Sequence, residues 1–339
     1  MIDLIVAGGG PAGLMTAIHA RLQGLEVTVV EKRSGPIDKA CGEGLMPDAL
    51  SRLQAVGIDP DGHDFCGIRY ISKGKVAEAH FRSGPGRGVR RLTLHSALRE
   101  RADDLGVHTV TGRVTEIHHG NGWIEAGGLR ARYLVGADGL HSDVRRILAL
   151  GEDTTGARRF GVRQHFGTAP WSDFVEVYWL EDSEVYVTPV SHDTVGVAVL
   201  GRAVLKLDDA IARIPELAAR LTQVPRVSEL RGAGPLFQRV STRSADRALL
   251  VGDASGYIDA LTGEGLRLGF AEAEAAVNAV VTDQPEGYEH AWQKATRSYR
   301  FMTGGLLWAS SHRAVRPLIV PAARAMPRVF TRIVDSLAA

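Results

Sequence analysis

Apolar and polar positions change their rhythm three times along the chain. A short apolar run at residues 2–6 meets a glycine turn, then apolar residues at helical spacing (Leu14, Ile18, Leu22), then Val27-Thr28-Val29-Val30 ending on Glu31. That order predicts strand, turn, helix and strand, because a brief apolar run suits a buried strand and i, i+4 spacing gives a helix one apolar stripe. Buried strands are also predicted at Tyr133-Leu134-Val135 and over 248–251, with helices over 47–56, from Arg90-Arg91 through Leu105, and from 265 to 281. Residues 66–81 alternate as a hairpin turning on Lys73-Gly74, and 114–131 read as a meander. Alternation dominates from 160 to 237, which predicts a mostly antiparallel sheet broken by one helix around 207–221. Residues 288–339 read as helices interrupted by prolines.

The turn in the first regime is Gly8-Gly9-Gly10-Pro11-Ala12-Gly13. In a dinucleotide-binding unit Gly8 makes the tight turn, Gly10 lets the backbone approach a pyrophosphate, and Gly13 lets the helix pack against the strand. Free N–H groups and the dipole at the helix start hold the phosphate charge. Glu31, at the end of the second strand, is placed to accept the hydroxyl hydrogens of a ribose.

Composition narrows the partners. With 339 residues the chain can build one large or two ordinary domains, and a formal charge of +1 leaves no concentrated basic surface for nucleic acid. Two cysteines, Cys41 and Cys66, make a disulfide scaffold a poor fit and a cytoplasmic location the default. No apolar run is long enough to span a bilayer. In the last fifty residues, Leu306, Leu307, Trp308, Val315, Leu318, Ile319, Val320, Val329, Phe330 and Ile333 interleave with Arg313, Arg316, Arg324, Arg328 and Arg332. Such a stripe is a face docked on the core with solvated arginines opposite, or a basic amphipathic surface for peripheral membrane contact.

Two later motifs extend the first. One is Gly136-Ala137-Asp138-Gly139-Leu140-His141-Ser142-Asp143-Val144-Arg145. The other is Val251-Gly252-Asp253-Ala254, followed by Leu261-Thr262-Gly263-Glu264-Gly265. With these the chain resembles the FAD-dependent oxidoreductase superfamily of aromatic-ring monooxygenases, flavin halogenases and geranylgeranyl reductases. The Leu-Thr-Gly-Glu-Gly run and the loop Cys41-Gly42-Glu43-Gly44 are closest to the geranylgeranyl reductases. Three positions depart from that pattern: Glu184, Tyr186 and Thr188 stand before Pro189, where those reductases show Tyr, Trp and Phe, and flavin halogenases carry paired tryptophans there. In the ring hydroxylases the third motif has His, Pro, Gln and Asn where this chain has Gly256, Ala260, Glu264 and Arg267.

The resemblance implies an α/β fold: a Rossmann-like FAD-binding domain (1–65, 84–155 and 240–285), an inserted mostly antiparallel β-sheet substrate domain (66–83 and 156–239), and C-terminal helices (286–339). It implies FAD contacts from Gly8, Gly10, Ala12, Gly13, Glu31, Lys32, Arg33, Cys41, Gly42, Gly44, Arg91, Val114, Asp138, Gly252, Asp253, Gly263, Gly265 and Leu266. Asp253 would receive ribityl hydroxyls, and the helix N-terminus at Gly265 would face the flavin pyrimidine edge. Cys41 is the catalytic candidate, against a reading as a small packed side chain. His165, Trp179, Tyr186 and Pro189 are the substrate candidates. There is no second nucleotide-binding glycine motif, so NAD(P)H would bind transiently in a cleft shared with a hydrophobic or aromatic substrate.

The leading reading is a monooxygenase on an aromatic, polyketide or isoprenoid-like molecule. A reductase of isoprenoid double bonds comes second. A non-catalytic carrier is third, and the intact Glu31 and Asp253 argue against it. No metal site is predicted.

Overall fold

A computed structural model describes residues 1–153, 158–202 and 206–338. The first strand, Ile2–Ala7, lies between two parallel neighbours, Leu129–Gly136 and Val27–Glu31, with Val6 opposite both Val135 and Val29. His108–Thr111 and Ala248–Leu250 extend this sheet on its two sides, and the meander Ile117–Gly120 and Trp123–Ala126 hangs from Leu129–Gly136. The central stretches 4–7, 27–30, 133–135 and Ala248–Leu250 are almost wholly apolar because both faces are covered there. On one face lie Pro11–Leu22, Arg91–Asp104 and Gly265–Val281, locked by Leu14, Ile18, Leu94, Leu98, Phe270 and Val277.

The second sheet runs Arg231–Ala233, Phe160–Phe166, Thr194–Gly201, Ser183–Ser191, Phe174–Trp179, Gly67–Ser72, Lys75–His80. Its pairings are antiparallel except Phe174–Trp179 with Gly67–Ser72, which join distant segments in parallel. Strand alternation gives this sheet two faces. Tyr178, Val185, Val187, Val195 and Val197 pack under Leu207, Ile211 and Leu217. The opposite face, with Tyr70, Val175, Val177 and Trp179, is covered by Val320, Phe330 and Val334 from the C-terminal helices.

Several expectations change. The helix predicted over 207–221 is two, Leu207–Ala212 and Pro215–Leu221, because Pro215 has no N–H to continue the first and suits the first turn of the second. Gly86–Gly88, read as part of a turn, is the middle strand of a small sheet between Gly44–Leu45 and His63–Phe65. A short helix, Asp143–Ile147, follows the second motif and is capped by Ser142, whose Oγ accepts from Arg145 N–H. Arg316, grouped above with the solvated arginines, is buried and donates to the carbonyls of Leu180, Ser183 and Ser310. The domain boundary expected at 155/156 and the terminal Ala339 lie outside the described residues. Among the described residues no helix is long and apolar enough to cross a membrane.

Candidate active site

The glycine turn is built by exclusion. Gly8 has φ +109°, and a Cβ there would lie 2.5 Å from the Ala137 carbonyl oxygen; a Cβ on Gly13 would lie 1.9 Å from the Gly8 oxygen. No side chain fits either place, so the first helix starts hard against two strand ends. At Gly10 a Cβ would meet nothing, so the helix start opens on free space. His95, from the neighbouring helix, pins the turn: its Nε2 donates to the Gly9 carbonyl at 2.9 Å, and burial lowers its pKa.

Glu31 ends the second strand, and each carboxylate oxygen holds one backbone N–H: Oε2 accepts from Gly9 at 2.8 Å and Oε1 from Arg33 at 3.0 Å. A carboxylate oxygen has two lone-pair directions, so both keep one free for a diol. The groove beside it is lined by Gly8, Gly10, Lys32, Arg33, Val114 and Asp138, among others. Asp138, expected in a site role, spends its carboxylate on its own turn. It accepts from Ser142 Oγ, from Asp143 N–H at 2.7 Å and from Val144 N–H at 3.1 Å.

The third motif meets the first directly. A Cβ on Gly252 would stand 2.9 Å from Ala12 Cβ. Asp253 sits in the 3-10 turn Gly252–Ser255, and among the described residues its carboxylate makes no side-chain hydrogen bond. Surrounding protein raises its pKa, against the pull of Lys39, Arg91 and Arg145. Lys39 is exposed to the groove yet surrounded by protein, which lowers its pKa. Gly263 precedes the helix Gly265–Val281, whose start faces the Tyr257 ring, and Leu266 packs inward from it.

The loop holding Cys41 is tied to both sheets. Gly42 oxygen accepts from Thr188 Oγ1 at 2.9 Å, Gly44 pairs with Gly88, and Glu43 oxygen accepts from Val89 N–H at 2.8 Å. Cys41 is half-buried, and desolvation pushes its thiol up, ahead of opposing Arg91. Glu43 N–H points at Cys41 Sγ, 3.4 Å away. Arg91 supplies a backbone N–H to Glu43 Oε1 at 2.8 Å, while its own buried Nε has no partner.

The substrate candidates divide. His165, Trp179 and Tyr186 share the sheet face turned to this loop and the C-terminal helices; Tyr186 donates to the Leu261 carbonyl at 2.8 Å, and Trp179 packs edge-on to Tyr70 at 5.2 Å. Pro189 is not with them. It lines a separate shallow depression with Trp171, Val187 and Val195. His165 contacts Glu43 rather than an open cavity.

Sequence reasoning gave no role to Arg145 or Lys39. Arg145 joins the second motif to the third, donating to the carbonyls of Asp253 at 3.2 Å and Ala254 at 3.1 Å. Its place at the end of the Asp-Gly motif was the available signal. For Lys39 the signal was a charge two residues before Cys41.

These residues suit FAD. A carboxylate without a protein partner at Asp253, an unpaired buried Arg91 Nε, an open helix start at Gly10 and spare lone pairs on Glu31 are what an extended diphosphate, ribose and ribityl chain would satisfy. The comparisons agree. The "FAD binding domain" family model matches residues 1–66 and 96–281. The menaquinone reductase of Mycobacterium tuberculosis (strain CDC 1551 / Oshkosh) is 26% identical over 301 residues, covering 79% of this chain and 73% of that protein. The rifampicin monooxygenase of Rhodococcus hoagii is 28% identical, over 80% of this chain and 62% of that protein. The solved structure of the flavin-dependent brominase Bmp2 superposes with a TM-score of 0.82 at 19% identity, covering 99% of this chain and 93% of that one, and so shares the fold. The chain belongs to the FAD binding domain family and is a FAD-dependent oxidoreductase.

Proposed function

We propose that the protein reduces a carbon–carbon double bond of an isoprenoid-like small molecule, with NAD(P)H as transient reductant. The observation that carries this reading is the Cys41 loop: it is like that of the geranylgeranyl reductases in sequence, its Gly42 oxygen accepts from Thr188 Oγ1 of the second sheet at 2.9 Å, and the Cys41 thiol is half-buried within it. Reducing an alkene adds a hydride to one carbon and a proton to the other, so an acid must stand beside the hydride donor. FAD, when bound, supplies hydride chemistry. Glu31 and Asp253 would hold its hydroxyls, Arg91 and the helix start at Gly265 would face its electron-rich parts, and Cys41 would give the proton. Two kinds of relative are by name reductases, of menaquinone and of digeranylgeranylglycerophospholipid, which supports a reductase acting on an isoprenoid-bearing molecule.

A second reading is oxygenation, favoured by a different observation. Glu184, where the reductases carry an aromatic residue, is closed in ion pairs with Arg159 at 2.6 Å and Arg316 at 2.7 Å. That exchanges an aromatic side chain for a buried salt-bridged one, and one relative is by name a monooxygenase, that of rifampicin. Anaerobic incubation of the holoenzyme with NADPH and a polyprenyl quinone separates the two. Loss of one double bond without oxygen supports reduction; product only after oxygen is admitted, with an added oxygen atom, supports the monooxygenase.

We further propose peripheral contact with an anionic membrane. Phe301 is 81% exposed, Trp308 58% and Leu318 59%, and Arg313, Arg324, Arg328 and Arg332 are exposed on the same C-terminal helical region. Apolar side chains among cations suit the headgroup boundary.

A further inference from the structure

Residues 259–264 lead into the helix Gly265–Val281, and they are held from outside the FAD-binding sheet. The Tyr186 hydroxyl donates to the Leu261 carbonyl at 2.8 Å and the Tyr299 hydroxyl to the Asp259 carbonyl at 2.9 Å, while Thr303 Oγ1 pairs with Thr262 Oγ1 at 2.8 Å. Tyr186 belongs to the second sheet, and Tyr299 and Thr303 to the C-terminal helix Tyr288–Ser311. The fourth tie is charged: Arg159 Nε lies 2.9 Å from Asp259 Oδ2.

Arg159 joins Asp259 to a network of four buried charges. Its Nη2 donates to Glu184 Oε2 at 2.6 Å, and Arg316 Nη2 stands 2.7 Å from Glu184 Oε1. The contacts at Asp259 Oδ2 and Glu184 Oε1 are close but off the line of a hydrogen bond, so they act through charge. Burial lifts the Asp259 pKa to about 6, so at neutral pH two carboxylates face two guanidinium groups. Arg316 is anchored in turn by the Leu180, Ser183 and Ser310 carbonyls. Removing one member would strand a buried charge, whereas apolar residues of the same volume could replace the whole set without loss of stability. Packing therefore does not require these charges. What they add is a fixed reach from the second sheet to Asp259, because a planar guanidinium holds its two partners at set angles.

The loop ends at a helix start that no side chain caps. Leu268 N–H makes the first bond of the helix, to the Glu264 carbonyl at 3.0 Å, so the N–H groups of Gly265, Leu266 and Arg267 have no partner within it. One turn on, a Cβ at Gly269 would lie 3.3 Å from Ala12 Cβ and 3.8 Å from Gly252 Cα, which sets the helix start beside the turn that presents Asp253. Free N–H groups and the helix dipole there favour an electron-rich ligand. We propose that Arg159, Glu184 and Arg316 are positioning residues that act through Asp259. They hold residues 259–264, and with them the free N–H groups at Gly265, in place for FAD. The body of the helix is fixed by core contacts such as Phe270 and Val277; its entry is set from the second sheet and the C-terminal segment. The inference rests on membership of the FAD family, and serves reduction or oxygenation alike.

Two measurements test it without substrate. In the full-length apoprotein, amide exchange is followed at Leu261 and Gly263, whose N–H groups bond within the loop to Asp259 Oδ1 and the Ala260 carbonyl. Arg159→Met should speed it about tenfold, while Leu4 and Val6 in the first strand exchange as before. Arg159→Lys, which keeps the charge but loses the fork, should speed it about threefold. In the holoenzyme, sulfite reports on the helix start, because it adds to oxidised flavin and leaves the ring anionic. Its dissociation constant should rise about tenfold in Arg159→Met and about threefold in Arg159→Lys, with FAD content retained. Replacing all four charges together (Arg159→Met, Glu184→Leu, Asp259→Asn and Arg316→Met) should return the melting temperature to that of the wild type, yet keep the fast exchange and the weak sulfite binding. Unchanged exchange at Leu261 and Gly263 in both Arg159 variants, or an equal rise in the first strand, would overturn the proposal. So would sulfite affinity that returns together with stability in the fourfold variant. A protein that took up no FAD would sink the family reading, and apoprotein exchange would still decide what holds the loop.

Discussion

Glu272 accepts a hydrogen bond from the Gly252 N–H at 2.7 Å, so a carboxyl on the long helix holds the backbone turn that presents Asp253. Its Oε2 also receives Ser255 Oγ at 2.9 Å, and Ser255 in turn receives Trp292 Nε1 at 3.0 Å. Burial pushes the Glu272 pKa up to about 8, ahead of the hydrogen bonds that oppose it.

A pH dependence follows. The folded pKa lies above the unfolded value of 4.5, so the folded state keeps a proton that the unfolded chain releases. The stability this supplies is complete below pH 4.5 and is lost as pH rises through about 8. Glu264, raised to about 7, and Asp259, raised to about 6, act in the same direction over lower windows. Denaturant unfolding should show stability falling from pH 5 to 9, with Glu272→Gln removing on the order of 3 kcal/mol of that fall. An unchanged slope in Glu272→Gln would mean the carboxyl is ionised in the fold.

Cofactor retention should depend on Glu31 and Asp253 in different ways. Glu31 fixes Gly9 as well as facing the groove, so Glu31→Gln should weaken FAD binding and also loosen the turn. Asp253 has no protein partner among the described residues, so Asp253→Asn should leave the apoprotein's melting temperature unchanged. Its loss should appear only as roughly 10–100-fold weaker FAD binding, the worth of one or two charge-assisted hydrogen bonds. Fluorescence titration of apoprotein with FAD, beside apoprotein melting, reads both.

The parts of this fold that sequence made visible are those with strong local rules. The strand–turn–helix around Gly8 and Gly13 is dictated by steric exclusion, and the helix Gly265–Val281 by its unbroken apolar stripe and glycine start. What stayed hidden depends on distant partners. That Asp138 also holds its own turn, accepting from Asp143 N–H before the helix capped by Ser142, shows only in the structure. Arg316 reads as solvated until Leu180 and Ser183 surround it. Glu43 and His165 are more than a hundred residues apart, and no spacing rule joins them.

Cys41 can be tested against its packing alternative. Cys41→Ser keeps the size and a dissociable proton but raises the pKa of the donor; Cys41→Ala keeps only the size. If the thiol gives the proton, alkene reduction should fall by about 10²–10³-fold in Cys41→Ala, with FAD content unchanged. The rate of flavin reduction by NADPH should be unaffected in the same variant. A packing residue would show the reverse: activity close to wild type, with a lower melting temperature.

The C-terminal helices make a prediction about surfaces. Phe330 and Val334 face the core, whereas Val329 and Ile333 are 48% and 38% exposed between Arg328 and Arg332, so the last helix is apolar on both sides. Solvation alone gives no reason to keep Val329 and Ile333 outward, but a lipid boundary does. The protein should float with liposomes containing anionic lipid and stay behind with zwitterionic ones. Arg324→Glu, Arg328→Glu and Arg332→Glu together should abolish flotation, since each cation near an anionic surface is worth about 1 kcal/mol. Raised salt should weaken the binding in the wild type. Equal flotation with both lipids would point to apolar insertion alone through Phe301 and Trp308, and no flotation would leave that face for a protein partner.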